Sequence, residues 1–92
     1  MDFDVWHAQF GKYLVDIGLV DQGLRKLKQA IKVDPRVPAS HAWLAEAYCH
    51  NAKVELARQA VQKARKLGYN GKINCKHKDV ISNRALEENV EK

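Results

Sequence analysis

The apolar residues of this chain fall into four helical stretches. Residues 5–17 carry Trp6, Phe10, Tyr13, Leu14 and Ile17 at i, i+4, i+7, i+8 and i+11, which is one face of an amphipathic helix. Gly18 follows as a C-terminal stop. Residues 21–33 carry Leu24, Leu27 and Ile31, with Val20 just before them. Asp21 is placed to cap this second helix, and Asp34 before Pro35 ends it, because a residue preceding proline is pushed out of the helical region. Pro38 suits a first helical turn and is followed by Trp43, Leu44, Ala47 and Tyr48. A fourth helix is predicted near residues 54–67, with Val54, Ala57, Ala60, Val61, Ala64 and Leu67, and "GYNG" breaks it at Gly68 and Gly71. No stretch alternates as a half-buried strand does, so the pattern predicts an all-α chain of two helix pairs.

The two pairs match at an offset of 34 residues. His7 aligns with His41, Ala8 with Ala42, Phe10 with Leu44, and Gly11 with Ala45. Leu14 aligns with Tyr48, Val20 with Val54, Gly23 with Ala57, Leu27 with Val61, and Ala30 with Ala64. Large positions stay large and small positions stay small. The small ones have a packing reason: Gly11 and Ala45 let the first helix of a pair approach the second at Gly23 and Ala57, where bulk would force the two apart. Ala30 and Ala64 do the same toward the next helix. A 34-residue period with two helices per unit marks a helix–turn–helix repeat.

On these residues the chain resembles the tetratricopeptide repeat (TPR) family, whose pattern runs large, large, small, large, small, large, small, proline. The first unit fills the slots with His7, Phe10, Gly11, Leu14, Gly23, Leu27, Ala30 and Pro35, and the second with His41, Leu44, Ala45, Tyr48, Ala57, Val61, Ala64 and Tyr69. Three departures stand out. Histidine holds the first slot, often tryptophan, in both units. The turn glycine, present as Gly18, becomes Ala52. Tyr69 replaces the terminal proline, so no third unit is launched in the usual way.

The resemblance implies a helix–turn–helix solenoid forming one domain over residues 1–92. Its repeats would span 4–37 and 38–71, followed by a basic loop over 72–78 and a capping helix over 79–92. Such units bury their faces only by stacking, and about three are generally needed, so a cap is expected. Asp79 would start it, and Ile81, Ala85, Leu86 and Val90 would give it an apolar edge. The resemblance also implies function: a partner peptide or helix binds the concave groove of the first helices. By position that groove holds Ala8, Lys12 and Asp16, with Val5 and Gln9 in the same row, and then Ala42, Trp43, Glu46, Cys49 and His50. Trp43 is the expected anchor, since aromatics dominate interface energy. The slots of the chaperone-tail clamp found in one branch of the family fall on Ala8, Lys12, Trp43, Ile73 and His77. Only Lys12 there brings a positive charge, which argues against that ligand.

Charge adds an alternative. The net charge is +5, and Arg58, Lys63, Arg65, Lys66, Lys72, Lys76 and Lys78 form a basic stretch with no acid between them. Arg25, Lys26, Lys28 and Lys32 with Arg58, Lys63, Arg65 and Lys66 put half of the basic residues on the second helices, the convex side by the resemblance. RNA or an acidic partner is therefore the alternative to a protein partner in the groove. Solvated helix faces explain the same lysines more simply. No apolar run approaches the roughly 20 residues that span a bilayer, and "MDFDVWHAQF" has no basic region leading an apolar one, so neither membrane insertion nor a secretory leader is expected.

Cys49 and Cys75 form no close-spaced motif and are expected to be reduced thiols of a cytoplasmic chain. Cys49, His50, Cys75 and His77 are the one set suggestive of zinc. Adjacent residues on a helix diverge by about 100°, and the spacing fits no recognised finger, so no metal is expected. His7 and His41 share one repeat position and are expected to pack with a polar edge at solvent. No phosphate loop and no nucleophile with a base is present, so neither enzymatic chemistry nor a cofactor is expected. The expected assembly is a monomer closed by residues 79–92, or a weak homodimer through that end.

Overall fold

The computed structural model describes residues 3–75, with side chains from His7 onward. The expected capping helix over 79–92 and the last part of the basic loop lie outside the described residues. Four helices are present, α1 (Phe3–Asp16), α2 (Val20–Val33), α3 (Pro38–His50) and α4 (Val54–Lys66), with no strand among the described residues. Helix α1 packs on α2 and α3 on α4, while α3 also touches α2 and α1. A Cβ built on Gly11 would meet Leu27, and one on Gly23 would meet Val15, so α2 descends as α1 rises and the pair is antiparallel.

The turns show why the helices end where they do. Gly18 has φ 98°, and the amides of Gly18 and Leu19 donate back to the carbonyls of Val15 and Leu14. Ala52 has φ 60°, and the amides of Ala52 and Lys53 donate to Cys49 and Tyr48. Both are Schellman closures, which satisfy the last carbonyls by placing one residue in the left-handed region. They are identical bond for bond at a 34-residue offset, although the second uses alanine. Helix α4 closes the same way at Gly68, whereas α2 leaves through extended Asp34 into Pro35. The chain also differs after α4: residues 72–75 contain no helix, whereas α3 begins 34 positions earlier, at residue 38.

The core runs through Leu24, Leu27, Ala30, Ala42, Ala45, Ala57, Val61, Ala64 and Ile73. The buried faces of α2 and α4 follow their sequence stripes. On α1 the stripe is different. It buries His7, Ala8, Gly11, Leu14 and Val15, while Tyr13 is 56% and Ile17 51% exposed. The expected face counted large side chains, but α2 approaches over the small ones: a Cβ on Gly23 would stand 2.7 Å from the Gly11 carbonyl oxygen. Helix α3 is buried at Ser40, His41, Ala42 and Ala45 through Cys49, because neighbours surround it.

Three local expectations are corrected. Asp21 caps nothing: Leu19 is the N-cap residue without a side-chain bond, and the Asp21 carboxylate instead accepts from Asn51 Nδ2 at 3.1 Å, tying the start of α2 to the end of α3. His41 does not turn a polar edge to solvent. It is buried, and its Nε2 lies 2.8 Å from the Pro35 carbonyl, which requires the proton on Nε2. His7 is buried as well. Finally, Cys49 and Cys75 are joined as a disulfide, with Cα atoms 5.6 Å apart, rather than being two separate thiols.

Candidate functional site

The residues expected to form the groove separate into an open and a closed set. Lys12 and Trp43 are half-buried, and Asp16 and His50 are exposed. Ala8, Ala42, Glu46 and Cys49 are buried. Trp43 packs its inner side against the core cluster and keeps part of its surface in water. The first two closed residues are alanines under helix contacts. The other two are covered by the chain's own residues 73–75.

Glu46 organises this region. Its side chain is 6% exposed, yet both carboxylate oxygens are engaged. Oε1 accepts from Lys12 Nζ of α1 at 3.2 Å, and Oε2 accepts from the Asn74 amide at 3.0 Å. Lys12 and Glu46 are 34 residues apart in sequence, and their contact joins α1 to α3. Lys12 also reaches Asp16 at 3.3 Å. Burial alone would lower the Lys12 pKa. The attraction and hydrogen bond of Glu46, joined by those of Asp16, outweigh burial and raise it.

The covering segment leaves α4 through a pinned turn. Arg65 Nη1 donates to the carbonyls of Tyr69 and Gly71, both at 2.9 Å, while its guanidinium sits 5.9 Å from the Tyr69 ring. Residues 73–75 then advance along α3: Ile73 is 1% exposed, the Asn74 amide meets Glu46, and Cys75 bonds to Cys49 one turn further on. Sequence reasoning placed Glu46 in the groove but missed its burial. Its signal was an acid on the same helical row as Lys12, one period away.

Several of the basic residues on α2 and α4 have structural employment. Lys26 lies 5.7 Å from the Phe10 ring and Lys28 5.8 Å from the Tyr48 ring, Arg58 pairs with Glu55 at 2.8 Å, and Arg65 holds the turn. Arg25, Lys32, Lys63 and Lys66 are exposed. Among the described residues no group of three His, Cys, Asp or Glu side chains is placed to hold a metal, and no helix is long and apolar enough to cross a membrane. No protein-family model matches the chain, and neither a curated protein nor a solved structure does.

Proposed function

We propose that this chain is a non-enzymatic interaction module of the TPR type, binding a segment of another protein along the face shared by α1 and α3. The observation that carries this reading is the Lys12–Glu46 contact. It joins equivalent positions 34 residues apart, as stacked copies of one unit require. The matching Schellman turns at Gly18 and Ala52 support the same relation. Lys12, Asp16, Trp43 and His50 supply the accessible part of the face, an aromatic flanked by both signs of charge and an imidazole. Such a mixture recognises a peptide with one apolar anchor and polar flanks. A cytoplasmic location belongs to this reading for the reduced chain, because disulfides persist in oxidising compartments.

The test is a panel of seven-residue peptides screened against the wild type, Trp43→Ala and Lys63→Glu, each first shown folded by circular dichroism. Losing an interface aromatic typically costs about 2 kcal/mol, roughly 30-fold in affinity. Trp43→Ala is expected to lose peptides that the wild type captures, and Lys63→Glu to keep them. Retention by Trp43→Ala with loss by Lys63→Glu would move the site to the basic face of α4.

A further inference from the structure

Residues 73–75 lie against α3 much as a bound peptide would. An apolar side chain is sunk into the core, the next backbone amide is hydrogen-bonded to a buried carboxylate, and residues 72–75 form neither helix nor strand. We propose that the inner face of α3 is a redox-gated slot for an extended peptide, held closed in cis by Ile73, Asn74 and Cys75 and opened when a dithiol reduces the Cys49–Cys75 bond. The proposal rests on the interaction-module reading and narrows its ligand to an extended segment carrying a branched aliphatic residue.

Three contacts close the slot, and they differ in kind. Ile73 is 1% exposed and belongs to the one buried cluster that also holds Ala42, Ala45 and Cys49 of α3, so its aliphatic side chain is part of the core. The Asn74 amide reaches Glu46 Oε2, a contact any extended peptide can reproduce because it uses only backbone. The disulfide is the one covalent tie. Upstream, Arg65 fixes the carbonyls of Tyr69 and Gly71, and the Tyr69 hydroxyl donates to the Lys72 carbonyl at 3.5 Å, so the segment released on reduction begins at Ile73. With the tie cut, Glu46 keeps Lys12 on Oε1 and presents Oε2 to the next amide that arrives.

The chemistry is thiol–disulfide exchange. Cys75 is half-buried and Cys49 buried, so a thiolate of the dithiol attacks Cys75 Sγ. The bond to Cys49 Sγ breaks, and Cys49 leaves as a thiolate that takes up a proton. The second thiol of the reductant then displaces Cys75, which is protonated in turn. Two electrons and two protons pass to the chain, and the reductant ends as a disulfide. In an oxidising compartment the slot is shut, and in a reducing one it exchanges its own segment for a competitor in trans.

Two readouts on the full chain test the gate and the slot separately. Hydrogen exchange at the Asn74 amide is compared in the oxidised wild type, the dithiol-reduced wild type and Cys75→Ser. Binding of a fluorescein-labelled peptide, residues 69–75 with serine in place of Cys75, is measured on the same three forms. The cross-link removes chain freedom worth well over a decade in an equilibrium constant, so exchange and peptide affinity are both expected to rise by about tenfold or more in the reduced and Cys75→Ser forms. A peptide with aspartate replacing Ile73 is expected not to bind. Equal Asn74 exchange in all three forms overturns the gate and leaves the interaction-module reading to be judged on Trp43. Faster exchange without peptide binding overturns the slot, and equal binding of the aspartate peptide overturns the aliphatic anchor.

Discussion

Replacing Glu46 with alanine removes one buried carboxylate and takes an acceptor from two donors. The Asn74 amide loses its 3.0 Å acceptor, and Lys12 loses its 3.2 Å partner. A hydrogen bond to a charged group is worth about 1.5–3 kcal/mol. The Asn74 contact counts in full, because Glu46 is almost wholly shielded from water. The Lys12 contact is discounted, since that ammonium is partly hydrated and keeps Asp16. Returning a carboxylate to water in the unfolded chain offsets part of the loss. The expected destabilisation of Glu46→Ala is about 2–3 kcal/mol. Asp16→Ala, which removes only an exposed partner of the same lysine, should cost less than about 0.5 kcal/mol. Urea denaturation of the oxidised chains reads both. With a slope near 1 kcal/mol/M, typical of a small domain, the Glu46→Ala midpoint should fall by about 2–3 M and that of Asp16→Ala should hardly move. Equal midpoints for Glu46→Ala and wild type would refute the claim that this carboxylate joins α1, α3 and the segment after α4.

Ala52 sits at φ 60°, where an L side chain is strained and glycine is not, so Ala52→Gly should raise the thermal midpoint by the equivalent of about 0.5–1 kcal/mol. Gly23→Ala should lower stability by about 1–2 kcal/mol in chemical denaturation. The new Cβ would stand 2.5 Å from Val15 Cγ2 and 2.7 Å from the Gly11 carbonyl oxygen, an overlap larger than the gain in helix propensity. Lys12 has its pKa raised above the ordinary 10.5, so its contribution is complete below that pH and is lost as pH climbs through the folded value. Melting followed above pH 10.5 should therefore show an alkaline loss that is smaller in Glu46→Gln than in wild type.

The helices were legible because their signals are local. The proline at 38, the glycine at 18 and the apolar stripes of α2 and α4 each act within one or two turns, and the structure places the elements within two residues of the expected bounds. What was not legible depends on how closely helices approach. The face of α1 follows Gly11 and Gly23 rather than Tyr13 and Ile17, because the small pair decides which side can come near. Asp21 has the residue type and position of a cap, but the Schellman turn before it leaves Leu19 as the N-cap residue and sends the carboxylate to Asn51. The disulfide was hidden for a similar reason. Cys49 and Cys75 are 26 residues apart with no motif between them, and they meet only because the chain turns back along α3 after Gly68. The alignment of α1 with α3 supplied the eight expected groove positions. It carried no information about residues 73–75, which cover Glu46 and Cys49 and leave Trp43, Lys12, Asp16 and His50 accessible. Lys12→Glu, a charge reversal at an expected groove position, would set a second carboxylate against Glu46, so Lys12→Gln is the cleaner probe of binding.

The face shared by α1 and α3 is tested most directly by amide chemical-shift mapping of the nitrogen-15-labelled chain during titration with a peptide that the wild type captures from the seven-residue panel. The largest shifts are expected at Lys12, Trp43, Glu46 and His50, with Lys32, Lys63 and Lys66 unmoved. Shifts centred on those three lysines, or none at saturating peptide, would contradict that placement.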